Sequence, residues 1–283
     1  YVPKENAPEA ALIENVVVYG IESLTEIIKH LDISKRTGAE HVEIKPSASK
    51  IPTGSNEKER FDHDFDDVVG QETAKRGLMI AAAGGHNIAL YGPPGTGKTM
   101  LARALLSILP PLSFDEMLEV TEIHSIAGIL DETVIASPPF RSPHHTSSYT
   151  SIVGGGGTPK PGEITLAHRG ILFLDEFPEF DKRVIESLRQ PLEDRSISVS
   201  RMRGNAKFPA HFILVAALNP CPCGNYGVKD KVCTCSAKDA ARYEKRISGP
   251  IMDRIDMWIE VSTVEHERLM HSRDAVIETV ATK

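Results

Sequence analysis

Gly92-Pro93-Pro94-Gly95-Thr96-Gly97-Lys98-Thr99 is the stretch from which the fold can be read. It matches G-x-x-x-x-G-K-[ST] at every fixed position, after a predicted strand over 87–91 and at the start of a predicted helix over 98–108. Glycines let backbone N–H groups converge on phosphate oxygens, and the helix N-terminus adds its positive end. Lys98 can then reach the β- and γ-phosphates of ATP, and the Thr99 hydroxyl can ligate magnesium. A glycine-rich turn with no ligand is the alternative, and the flanking strand and helix argue against it.

Downstream, Ile171-Leu172-Phe173-Leu174-Asp175-Glu176 supplies a second half. Four apolar residues suit an inner strand of a parallel sheet, buried on both faces. Two acids follow at its carboxyl end, where such sheets bind ligands. Asp175 would hold the magnesium shell, and Glu176 would polarise an attacking water. A further buried strand, 212–218, ends at Asn219, placed for a polar contact beside the γ-phosphate; a turn Asn before Pro220 is the alternative.

Around these motifs strands and helices alternate, the mark of a parallel sheet flanked by helices. Helices are predicted over 71–83, from the capping box Ser113-Phe114-Asp115-Glu116, over 181–189 and over 237–247, and a last strand over 257–261. Residues 130–162 read as irregular. Arms at 196–199 and 207–208 read as a hairpin turning at Gly204-Asn205. Before the core, 16–19 reads as a β-branched strand and Ser23-Leu24-Thr25-Glu26 as a capping box. Residues 45–60, rich in Pro, Ser, Gly and charge, read as a linker. The expected divisions are 1–44, 45–60, 61–262 and 263–283.

The 283 residues are 41% apolar and 25% charged, as in ordinary globular proteins. No apolar run approaches the ~20 residues needed to cross a bilayer, and the amino end Tyr1 to Asn6 shows no basic segment followed by an apolar core, so no signal peptide, no membrane partner and a cytoplasmic location are expected. The missing starting Met suggests a piece of a longer protein. Net charge is -7, which argues against a uniformly basic surface but leaves room for a local patch. Between 195 and 208 stand Arg195, Arg201, Arg203 and Lys207 with no acid among them. His144-His145, beside Arg141, reads as a polar loop.

All four cysteines fall between 221 and 235, as C-x-C-x9-C-x-C. Four thiolates make a closed tetrahedral zinc site, although C-x-C is tighter than the usual C-x2-C; a free-thiol loop is the alternative.

Taken with Asp67-Val68-Val69-Gly70-Gln71, Pro161 to Gly170, and Arg246 to Asp256, these motifs resemble the magnesium-chelatase-like AAA+ proteins, and within them the ComM/YifB family. The resemblance implies an α/β fold: a P-loop AAA+ core preceded by the end of a Lon-protease-like domain, with the C-terminal helical lid largely absent. It places Val69, Gly70, the loop Gly92 to Thr99 and Met100 around ATP. It makes Asn219 the first sensor and Arg254 a finger reaching a neighbour's ATP in a homo-hexamer. It also implies an insert over ~125–160 and a pore-facing hairpin over ~196–208, and a DNA helicase that drives branch migration. The hairpin's Arg201, Arg203 and Lys207 would then contact DNA. Two other functions stand beside it. One is a magnesium-chelatase motor working through a partner, which the cysteine pairs disfavour. The other is a scaffold that only binds ATP, which an intact Asp175-Glu176 disfavours.

Overall fold

A computed structural model describes residues 1–11, 13, 16–32, 43–47, 64–130, 134–156, 159–201, 204–228 and 231–263. Five parallel strands carry the larger of two compact units, Glu59–Ile129 with Ser137–Lys283. They are β1 (Ile88–Tyr91), β2 (Phe140–Arg141), β3 (Ile171–Leu174), β4 (Ile213–Leu218) and β5 (Met257–Glu260), in the order β5-β1-β4-β3-β2. The apolar runs of β1, β3 and β4 follow from burial on both faces. Ile171 and Phe173 of β3 join Leu78, Leu101 and Leu105 on one face. Leu172 and Leu174 join Phe177, Ile185 and Ile251 on the other.

Helix α1 (Glu72–Gly84) stops at Gly85, and α2 (Lys98–Ala104) opens from the glycine loop. The expected helix over 98–108 is shorter because its last turn tightens into the 3₁₀ segment Leu105–Ile108, a common terminus. Helix α3 (Phe114–Ala127) forms its expected capping box: the Glu116 amide donates to Ser113 Oγ (3.4 Å) and the Ser113 amide to Glu116 Oε2 (2.9 Å).

Three further readings of this unit need correction. The 130–162 stretch contains β2 and a short helix, Tyr149–Val153, and is not wholly irregular. The predicted helix over 181–189 is two short helices, Lys182–Ser187 and α4 (Arg189–Asp194). The hairpin is longer than expected, pairing Ser196–Arg201 with Gly204–Pro209, so Gly204 and Asn205 lie in a strand and not in its turn. Register explains the shift. Matching Ile197 with Phe208 and Val199 with Ala206 puts the apolar side chains on one face and sets Arg201 opposite Gly204.

The smaller unit is Tyr1–Lys58 with Leu130–Ala136. Ser23 caps the helix Leu24–Leu31, accepting from the Glu26 amide at 3.3 Å, but the predicted box is half made, because the Glu26 carboxylate accepts from the Glu22 amide (2.8 Å). The strand expected over 16–19 is displaced: Gly20–Ile21 pairs with Val2–Pro3, and Val16 and Val17 are exposed. β-branched residues favour extended backbone, but a strand also needs a partner to pack against. The linker beyond 47 and the tail beyond 263 lie outside the described residues.

Candidate functional site

Strand β4 lies between β1 and β3, so the loops leaving their carboxyl ends converge. Gly95 and Gly97 take left-handed backbone (φ +80° and +86°), which turns the chain from β1 into α2. Lys98 is buried there. Its ammonium donates to the carbonyls of Gly92 (2.6 Å) and Pro93 (2.8 Å) and to Asn219 Oδ1 (3.1 Å). Those partners use all three of its donors. Burial lowers the Lys98 pKa, while the charges of Asp175 and Glu176 pull it back up. A phosphate arriving at this charge would replace neutral acceptors with anionic ones, roughly doubling the strength of each bond.

The Thr99 hydroxyl donates to Asp175 Oδ2 at 3.1 Å. Adjacent vertices of an octahedron with ~2.1 Å bonds lie about 3 Å apart, so this oxygen pair fits magnesium. Glu176 follows in left-handed conformation (φ 51°), an uncommon state for a side chain with a Cβ, and its amide donates to Asp175 Oδ1 at 2.9 Å. Its half-exposed carboxylate meets His145: Nδ1 lies 3.1 Å from Glu176 Oε2. The His145 ring lies tilted against His144 (4.2 Å between centroids, 33° between planes) and stands edge-on to Phe180. Sequence reasoning left His145 in a polar loop. No local signal marks it, because the two-residue β2 before it shows no periodicity.

On the other side of the phosphate loop, a pocket of about 330 Å³ is lined by Val68, Val69, Thr96, Gly97, Met100 and Thr263, among others. Gly70, at φ 67°, turns the chain beside it. Gln71 is a second residue the sequence did not single out. Its side-chain amide donates to the carbonyls of Thr96 (3.3 Å) and Ser262 (2.6 Å), tying the glycine loop to the segment after β5. The apolar lining with a few fixed amides suits the base of a nucleotide.

Arg254 is not near this cluster. It precedes β5, whose Glu260 pairs with Tyr91, and so lies at the amino-terminal ends of the strands, whereas the phosphate loop leaves their carboxyl ends. Its guanidinium is mostly buried, pairing with Glu193 of α4 and donating to the Pro250 carbonyl. Of the basic hairpin residues, Arg203 lies outside the described residues. Arg201 ends one arm opposite Gly204, and Lys207 is exposed opposite Ser198.

Beyond Asn219 the four cysteine sulfurs lie within 4.8 Å of one another. Cys221 and Cys223 are 3.4 Å apart, Cys221 and Cys233 3.7 Å, and Cys223 and Cys233 3.6 Å. A disulfide needs ~2.05 Å, whereas the edge of a tetrahedron with ~2.3 Å zinc–sulfur bonds is about 3.8 Å. Backbone amides already serve the sulfurs: Tyr226 donates to Cys221 and Cys223 to Cys235, both at 3.4 Å. The donor set therefore fits zinc. Among the described residues no helix is long and apolar enough to cross a membrane.

Comparison with known proteins gives a consistent picture. The family model for magnesium chelatase, subunit ChlI, matches residues 64–269. The chain is 42% identical over 275 residues to the competence protein ComM of Haemophilus influenzae, covering 96% of this chain and 52% of that one. It is 45% identical over 265 residues to the uncharacterized protein YifB of Salmonella typhimurium, covering 92% and 49% respectively. To the magnesium-chelatase 38 kDa subunit of Rhodobacter capsulatus it is 29% identical over 187 residues, covering 60% and 53%. The chain thus spans about half the length of the curated relatives it matches.

Proposed function

The chain belongs to the magnesium chelatase ChlI family of AAA+ proteins, and on that premise we propose that it is the ATP-hydrolysing core of a hexameric motor that acts on DNA as a branch-migrating helicase. One observation carries the ATPase reading. Lys98, Thr99, Asp175 and Asn219, from three separate loops, stand within hydrogen-bond distance at the carboxyl ends of adjacent strands. Lys98 grips the β- and γ-phosphates while Asn219 fixes its ammonium. Thr99 and Asp175 would hold magnesium, which would neutralise phosphate charge. Glu176 orients the attacking water and accepts its proton. His145, at hydrogen-bond distance, sets which way that carboxylate faces. Arg254 serves the ATP of the next subunit.

For DNA the support is the resemblance to a competence protein and the basic hairpin. If Arg201, Arg203 and Lys207 touch phosphates, replacing all three with alanine weakens binding to every duplex alike. The plot of log affinity against log salt should flatten by about one unit of slope per lost contact. An unchanged slope would leave the hairpin a structural element. The likeness to the chelatase subunit favours a second reading, a motor for metal insertion through a partner protein. That motor would hydrolyse ATP with no response to DNA.

The cysteine cluster is proposed to hold zinc. Elemental analysis of protein purified without chelator should find about one zinc per chain, and a clear absence would end this assignment.

A further inference from the structure

We propose that the cysteine centre, loaded with zinc, governs ATP affinity by holding Asn219 and the phosphate loop in their working positions. This rests on the zinc reading above and adds a role to it. Cys221 stands two residues after Asn219, with Pro220 between them. Proline fixes one of the few dihedrals in that short span, so anchoring Cys221 also restrains Asn219. Asn219 in turn accepts from Lys98 at 3.1 Å. The buried Tyr243 of α5 (Ala237–Glu244) lines the same cavity as Asn219.

A second contact reaches the same loop. The turn that starts at Cys221 closes with the Gly224 amide donating to the Cys221 carbonyl at 2.9 Å. Gly224 is left-handed (φ +76°) and lies directly on Pro94: a Cβ at this position would sit 2.5 Å from Pro94 Cδ. The cysteine loop thus touches the nucleotide site through Asn219 on one side and Pro94 on the other. Among its described residues, 219–236 contains no helix or strand. Its order then depends on cross-links, and a metal bound by four of its thiolates supplies them. Cys221 is buried, while the other three sulfur-bearing residues are partly exposed, so a chelator can reach the centre.

Coupling of this kind is reciprocal: if zinc tightens ATP binding, ATP tightens zinc binding by the same factor, and differences of affinity at one site fall mostly on the release rate. The test uses full-length protein carrying Glu176→Gln, so that ATP persists during measurement. Zinc content is established first by elemental analysis. Release of zinc to a chromogenic chelator is then timed with and without magnesium-ATP, and ATP affinity is measured by calorimetry before extraction, after it, and after zinc is restored. We expect release at least about fivefold slower with ATP, and ATP affinity at least about fivefold weaker without zinc, the lower end of ordinary couplings. Gly224→Ala should keep its zinc and yet bind ATP several-fold more weakly, because the added methyl collides with Pro94.

The outcomes separate the two claims. Protein without zinc overturns the metal site and the coupling with it. Protein that holds zinc, but releases it equally fast with ATP and binds ATP equally well without it, overturns the coupling and leaves the metal as a local staple. If the extracted protein unfolds by circular dichroism, the release rates decide alone, since they start from the loaded protein.

Discussion

Replacing Lys98 with alanine is expected to weaken ATP binding by at least about a hundredfold, while Glu176→Gln keeps the affinity and loses hydrolysis. The first effect follows from charge-assisted bonds to phosphate, worth about 1.5–3 kcal/mol each, of which the ammonium can make two. It also follows from what the mutation leaves behind. Lys98 is buried and holds the Gly92 and Pro93 carbonyls and Asn219 together, so its loss removes the donor that organises the loop. Glu176 stands half exposed beside His145, so its amide replacement removes a proton acceptor and leaves the three bonds of Lys98 in place. General bases of this kind contribute about 10²–10⁴-fold. Calorimetry and single-turnover hydrolysis separate the two. Unchanged ATP affinity in Lys98→Ala would sink the phosphate assignment, and unchanged hydrolysis in Glu176→Gln would remove Glu176 from the water.

The parts of this site that could be read from sequence share one property: each lies at the end of a continuous apolar strand. Ile171 to Leu174 needs burial on both faces, so the acids after it must emerge at the sheet's edge, and the same logic places Asn219 after Leu218. Capping boxes are equally local, and Ser113 with Glu116 forms as written. What escaped the sequence depends on long-range contacts. Strand β2 has two residues, and it is held by β3, to which it is paired, and by the bidentate Arg141–Glu163 pair at 2.6 and 2.8 Å. No periodicity can announce a strand that short, so His145 beyond it could not be aimed at Glu176. Gln71 has the same difficulty, since one of its acceptors, the Ser262 carbonyl, lies 191 residues away. The hairpin was misread because Gly204-Asn205 is a strong local turn signal, and packing of Ile197 and Val199 overrode it.

Arg254→Ala is expected to leave ATP binding nearly intact and to lower hydrolysis by about a thousandfold or more, as loss of an arginine finger does. The topology makes an action within one chain implausible on distance alone. Arg254 is six residues before Glu260, which pairs with Tyr91 at the mouth of the phosphate loop. Strand β5 alone, Met257–Glu260, covers about 10 Å at ~3.3 Å per residue, and Arg254 lies three residues before its amino end. In the isolated chain the guanidinium is also engaged, with Glu193 and the Pro250 carbonyl as partners, and its Nε is buried with no partner. A finger must leave Glu193 to meet a neighbour's γ-phosphate. Glu193→Gln, which keeps the shape and removes the charge, should therefore raise hydrolysis or leave it unchanged, whereas a purely structural Arg254–Glu193 pair predicts lower thermal stability in both variants and no selective loss of turnover. Mixing is the decisive measurement. Full-length Arg254→Ala and Lys98→Ala should each be inactive, but a ring containing both can set an intact phosphate loop against an intact finger, so part of the activity should return. If mixed rings form and stay as inactive as either parent, Arg254 does not act across the interface. If no assembly forms with ATP at all, the ring itself is wrong, and the helicase reading falls with it.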